Sequence, residues 1–211
     1  MERHAFALQM NEGKLGNFLT ALGEKWGEIR TIIDAEHVTN FSLWNAERFL
    51  FGYYESDKEE AVSGKLMAPL ADVIAANGRW ISDPEQNMAQ MFEIYGVVRE
   101  DKSMIRHRVF MTHLLTGDVK EYKRRHDEKR ASMPAVPPGP DSNFTIWNAE
   151  DFIFGYDEID TSMEHEETPE EHEDTVAWES NMLNIMEWIT NDVDWLTGEH
   201  HAQVRRVAYY R

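Results

Sequence analysis

Between Leu15 and Ile33 the apolar residues Leu15, Phe18, Leu19, Leu22, Trp26, Ile29 and Ile33 recur at helical spacing, which predicts one long amphipathic helix. Ahead of it, RHAFALQM at 3–10 reads as a buried strand that ends in the turn NEG. After it, FSLW at 41–44 and FLFGYYE at 49–55 flank Asn45-Ala46-Glu47-Arg48, the pattern of two antiparallel strands and a short turn. A helix is predicted within 65–77 after Pro69, and a closing strand at 89–98. The order then repeats. IRHRVFMTHLL at 105–115 is a strand, Thr116-Gly117-Asp118 a turn, and VKEYKRRHDEKR at 119–130 a helix stopped by four prolines between 134 and 140. A second hairpin occupies 143–159. The acidic stretch MEHEETPEEHED at 163–174 is expected to be solvated and to add no core. A helix is predicted over 175–190, and VRRVAYY at 204–210 is the last strand.

The two hairpins are copies. NFSLWNAERFLFGYYES at 40–56 returns as NFTIWNAEDFIFGYDEI at 143–159, with 11 of the first 16 positions identical at an offset of 103 residues. Such a repeat sets the domain count before any other consideration. It predicts two α+β repeats, 1–103 and 104–211, joined around REDKSM at 99–104. Each would carry a four-stranded sheet with helices on one face and an apolar face that needs a cover. A covalently attached second repeat supplies that cover at high effective concentration. The expected architecture is therefore two ferredoxin-like repeats packed as an intramolecular dimeric α/β barrel, a pseudo-dimer within one chain.

Charge narrows the partners. With 39 acidic and 21 basic residues the net charge is -18, which argues against a nucleic-acid backbone or an anionic membrane surface as partner. Cysteine is absent, which removes disulfides and thiolate chemistry. No apolar run is long enough for a leader or a membrane span, so the expected location is the cytoplasm. Neither a glycine-rich phosphate loop nor a dinucleotide fingerprint occurs.

The repeats diverge where chemistry can reside. At an offset of 104, Phe18 and Leu22 of the first repeat become Tyr122 and His126 of the second. Four residues apart, these two share one helical face directed toward the sheet. His165 and His172 lie among carboxylates, without HExxH or calcium-loop spacing, and read as surface. His200-His201 precedes the last strand as surface or pocket rim.

The strand RHAFALQMN, the segment KWGEIRTIID at 25–34 and YKRRH at 122–126 resemble the L-rhamnose mutarotases, small α+β proteins that interconvert sugar anomers. The resemblance covers the first three elements of each repeat. It implies a sugar pocket lined by Tyr122 and His126, with His126 transferring protons, and a first repeat without catalytic function. It further implies anomer exchange of a 6-deoxy-L-hexose, L-rhamnose or L-fucose, with no cofactor or metal. Trp147, Phe154, Tyr156 and Trp188 are the expected aromatic walls, with Glu158 or Asp157 as an acidic partner. The family's tryptophan pair does not align cleanly: Met186 and Glu187 fall near those places, with Trp188 beside them and Trp178 earlier. Imidazole suits such chemistry because its ordinary pKa of ~6.5 keeps both protonation states accessible near neutrality. Two other readings stay open: a carbohydrate-binding or regulatory module without turnover, and a different cofactor-free enzyme, such as an oxygenase or cyclase, on the same scaffold.

Overall fold

A computed structural model describes residues 1–115, 117–133, 139–190 and 204–211. The chain order is β1 (Glu2–Met10), α1 (Leu15–Ala35), β2 (Thr39–Ala46), β3 (Phe49–Ser56), α2 (Ser63–Leu66), a short 3-10 turn (Ala68–Leu70), α3 (Ala71–Asn77) and β4 (Gly78–Trp80). It continues with β5 (Ala89–Ile94), β6 (Ile105–Leu114), α4 (Val119–Ser132), β7 (Asp141–Ala149), β8 (Phe152–Asp160), α5 (Pro169–Met182), β9 (Met186–Thr190) and β10 (Arg205–Tyr210). Two compact units result: Met1–Met88 with Arg205–Arg211, and Ala89–Val204. Among the described residues no helix is long and apolar enough to cross a membrane.

Each unit holds one antiparallel five-stranded sheet with helices, an α+β arrangement. The strand orders are β10-β2-β3-β1-β4 and β5-β7-β8-β6-β9. The predicted barrel does not form. Closure requires a sheet's two edge strands to pair with each other. Here both sheets are open, and β4 offers only three residues of pairing, Leu8 to Trp80 through Met10 to Gly78. The predicted division at 103 also shifts. Residues 89–94, expected to close the first sheet, pair instead with β7 of the second unit, and residues 205–210 pair with β2 of the first. Any extended segment can hydrogen-bond to any sheet edge, so an apolar strand pattern does not name its partner. The helix expected over 175–190 begins earlier and ends earlier. Thr168 and Glu171 form a reciprocal capping box that starts α5 inside the acidic stretch, and residues 186–190 are a strand paired with β6.

The duplicated hairpin has a mechanical explanation. Its two-residue turns place Glu47 and Glu150 at φ +48° and +52°, in the left-handed region that costs an ordinary L residue energy. The Asn45 amide donates to the carbonyls of Glu47 and Phe49, and the Asn148 amide to those of Glu150 and Phe152, which clamps each turn. Further along, Asn40 and Asn143 also sit at positive φ, where each strand shifts register against its neighbour. The indole N–H groups of Trp44 and Trp147 donate to Ser42 Oγ and Thr145 Oγ1. These shared residues hold the hairpin in shape, so both copies serve the fold.

Glycine completes the motif. Phe6 lies across Gly52, and Phe110 across Gly155, at paired positions of neighbouring strands. A Cβ on Gly155 would meet the Phe110 ring at 2.0 Å, and one on Gly52 would meet Phe6 at 2.1 Å. Each ring therefore occupies space that only glycine leaves free. In the first unit Phe6, Phe18, Leu22, Ile29, Ile33, Phe41, Leu43 and Tyr54 belong to one buried apolar cluster. The second unit builds its cluster from Phe92, Phe110, Tyr122, Ile146, Ile153 and Met182.

Replacing Gly155 with Ala is expected to lower stability by about 1–3 kcal/mol, the usual cost of overpacking a filled core. Urea unfolding of G155A with Phe110 retained checks this; unchanged stability would show that the ring is free to move aside.

Candidate functional site

The second unit contains a cavity of about 290 Å³ between its sheet and the helices α4 and α5. Strands contribute Arg108, Asp141, Phe144, Asp157 and Trp188, and the helices contribute Tyr122, His126, Lys129, Trp178 and Glu179. Phe92, Phe110 and Met182 supply apolar wall.

Strand phase selects the polar residues. Side chains alternate across a sheet, so β8 sends Asp157 to the helix side and Tyr156 and Glu158 to the other. In β7 the register shift between Ser142 and Thr145 accompanies Asn143 at φ +51°. This bulge changes the phase of alternation and lets Asp141 and Phe144 both face the cavity. Asp157 pairs directly with Arg108 across β6 and β8.

Helix α4 positions the imidazole. His126 is 5% exposed and stacks on the Tyr122 ring, with centroids 4.3 Å apart. Phe92 and Trp178 meet it edge-on at 5.3 and 5.0 Å. Its Nδ1 lies 3.0 Å from the Tyr122 carbonyl oxygen. A carbonyl only accepts, so Nδ1 carries the proton and Nε2 keeps the lone pair. Burial lowers the His126 pKa to about 4, with the nearby Lys129 charge adding to the effect against the hydrogen bond to Tyr122. Tyr122 is fully enclosed, and burial pushes its phenol far above the ordinary range. Its ring orients the imidazole, and its hydroxyl stays protonated.

Asp157 behaves oppositely. It is 1% exposed, and burial raises its carboxyl pKa well above 3.8. The Asp141 carboxylate raises it further by charge and by a shared hydrogen bond, while the Arg108 charge opposes the shift. Its Oδ1 has no hydrogen-bond partner among the described residues. One cavity thus contains an imidazole whose proton affinity burial lowers and a carboxyl whose proton affinity burial raises. Environments that push two titratable groups apart in this way are characteristic of acid–base pairs.

Of the residues predicted from sequence, Tyr122, His126 and Trp188 line the cavity. The Trp188 indole N–H donates to Glu179 Oε1 at 2.7 Å. Trp147, Phe154, Tyr156 and Glu158 do not line it. They are buried on the opposite face of the sheet, where Tyr156 donates to Glu158 at 2.8 Å and Lys102 forms an ion pair with Glu158. Asp157, the alternative acidic residue, is the one that reaches the cavity. His165 and His172 sit on the surface beside Glu171 and Glu167, and His200-His201 lies outside the described residues. Arg108, Asp141 and Lys129 were missed. The signal for two of them was present in the repeat alignment, since Arg108 and Asp141 stand where the first repeat has His4 and Val38.

No family model matches the chain, nor does any curated protein or solved structure. The assignment to rhamnose mutarotases gains nothing from these comparisons, and the barrel attached to it is overturned by the open sheets.

His126 makes stability depend on pH. Between about pH 4 and 6.5 the unfolded chain holds a proton on this imidazole that the folded chain does not. Its contribution is therefore fully present above pH 6.5 and is lost as pH falls through about 4, on the order of 3 kcal/mol in all. Asp157 works in the opposite direction, stabilising below its ordinary 3.8 and less so as pH rises through its elevated value. Comparing urea unfolding of wild type and His126→Gln across this window isolates the histidine; a stability difference that is independent of pH would contradict the assignment.

Proposed function

We propose that the second unit catalyses acid–base exchange between the α and β anomers of a monosaccharide. The observation that carries this reading is the placement of the His126 imidazole and the incompletely hydrogen-bonded Asp157 carboxyl in one cavity, where burial lowers the proton affinity of the first and raises that of the second. The volume of about 290 Å³ lies at the small end of ligand pockets and suits a single sugar ring. Phe92, Phe110 and Phe144 offer surface for the C–H face of that ring.

In this mechanism His126 Nε2 takes the proton of the anomeric hydroxyl while the Asp157 carboxyl protonates the ring oxygen. The C1–O5 bond breaks and C1 becomes an open-chain aldehyde. Rotation about C1–C2 presents the other carbonyl face. The O5 hydroxyl then attacks C1, returning its proton to the Asp157 carboxylate, while the His126 imidazolium protonates the former carbonyl oxygen. Both groups end as they began. During the open-chain stage Arg108 stabilises the Asp157 carboxylate, and the Tyr122 carbonyl stabilises the imidazolium through Nδ1–H. Trp147, Phe154 and Tyr156, three of the expected aromatic walls, lie on the other sheet face, so the cavity lining does not call for a methyl group at C6.

Saturation-transfer NMR between the anomeric protons of L-rhamnose, L-fucose and D-glucose tests the proposal. His126→Gln and Asp157→Asn are each expected to slow catalysed exchange by roughly 10²-fold or more while the fold persists. Exchange should also fall as pH drops through about 4, where His126 gains a proton, and as pH rises through the elevated value of Asp157. Sugar binding without exchange faster than buffer would favour a carbohydrate-binding module instead.

A further inference from the structure

Lys129 is the charged cavity residue whose surroundings are incomplete. Its ammonium lies 4.1 Å above the centre of the Trp178 ring, partly buried on the cavity wall. Among the described residues no carboxylate lies within ion-pair distance of it. Asp174 on α5 acts on it only through space. The other acids of the cavity are engaged elsewhere: Glu179 accepts the Trp188 indole N–H, and Asp157 shares a hydrogen bond with Asp141.

The first repeat shows what a lysine at this position does without a cavity. Lys25, at the matching offset of 104, is ion-paired with Glu28 at 2.7 Å on the exposed side of α1. In the second repeat the residue three positions later is Ser132, whose hydroxyl donates to the Lys129 carbonyl. The helical partner is thus gone, and the ammonium has turned onto Trp178. A partly desolvated cation without a counter-ion is costly, and an anionic ligand group relieves that cost.

We infer that Lys129 binds a carboxylate on the ligand, and that the preferred ligand is a monosaccharide acid of the hexuronate class. In such a sugar the ring hemiacetal at C1 and the carboxylate carried on C5 flank the ring oxygen, and His126 and Lys129 stand three residues apart on α4. The hemiacetal end meets His126 and Asp157, and the carboxylate meets Lys129 above Trp178. A single ring thereby joins the proton-transfer groups to the free cation. This rests on the proposed anomer exchange for the role of the hemiacetal end, while the carboxylate contact stands on the placement of Lys129.

Calorimetric titration of the full chain with D-glucuronate and D-galacturonate, against neutral D-glucose and D-galactose, reads the contact directly. Wild type is expected to bind an acid about tenfold or more tightly than its neutral counterpart, the scale of one charge-assisted hydrogen bond. Lys129→Met keeps the length of the side chain over Trp178 and should abolish the preference. Lys129→Arg should retain most of it, and thermal unfolding of both variants establishes that they are folded. Equal binding of acid and neutral sugars, absence of binding by either acid, or a preference that persists in K129M would overturn the inference. Acid-selective binding without anomer exchange would leave the Lys129 contact standing and remove the proposed reaction. Exchange of neutral sugars by a wild type that binds the acids no more tightly would do the reverse.

Discussion

Which β8 side chains face the cavity depends on the register between β6 and β8. That register is held where Phe110 lies on Gly155, a contact that tolerates no side chain at the glycine. A slip of one residue would turn each β8 side chain to the opposite face. Glu158, now ion-paired with Lys102, would then point toward the helices, and Asp157 would leave Arg108 and the cavity. The bulge at Asn143 does the same work on β7, because it brings Asp141 and Phe144 to one side despite their odd spacing. The acid of the site is thus selected by strand phase.

With that geometry fixed, burial determines protonation. Enclosure disfavours charge on both key groups, but the consequence is opposite for an acid and a base. It raises the proton affinity of the Asp157 carboxyl and lowers that of the His126 imidazole, whose pKa falls to about 4. Tyr122 contributes through its ring and its backbone carbonyl, since its phenol is too strongly buried to ionise. Arg108 and Asp141 adjust the carboxyl from either side, one lowering and the other raising its proton affinity.

The duplicated chain separates two demands that one repeat would otherwise have to meet together. The first unit retains the hairpin clamps and the phenylalanine-on-glycine contact but fills the positions equivalent to the site. Phe18 and Leu22 pack into its core, and His4 stacks on Tyr54 where the second unit has Arg108 opposite Asp157. The Tyr54 hydroxyl is occupied by the Val62 N–H and faces Ser63. What the hairpins share therefore maintains the sheet, while Arg108, Tyr122, His126 and Asp141 are differences from the first repeat that line one cavity.

The amino-acid sequence by itself determined the repeat, the long helix α1, the two hairpins and the asymmetry that singles out Tyr122 and His126. These follow from local periodicity and from comparing one stretch of chain with another. The capping box at Thr168 and Glu171 was equally local, although its acidic setting read as solvated surface. Only the tertiary structure decided that residues 89–94 and 205–210 join the other repeat's sheet, because main-chain pairing carries little sequence information. It also decided that Asp157, and not Glu158, Tyr156, Phe154 or Trp147, faces the cavity. Adjacent residues of a strand differ only in which face they occupy, and a bulge or a glycine contact several residues away sets that face.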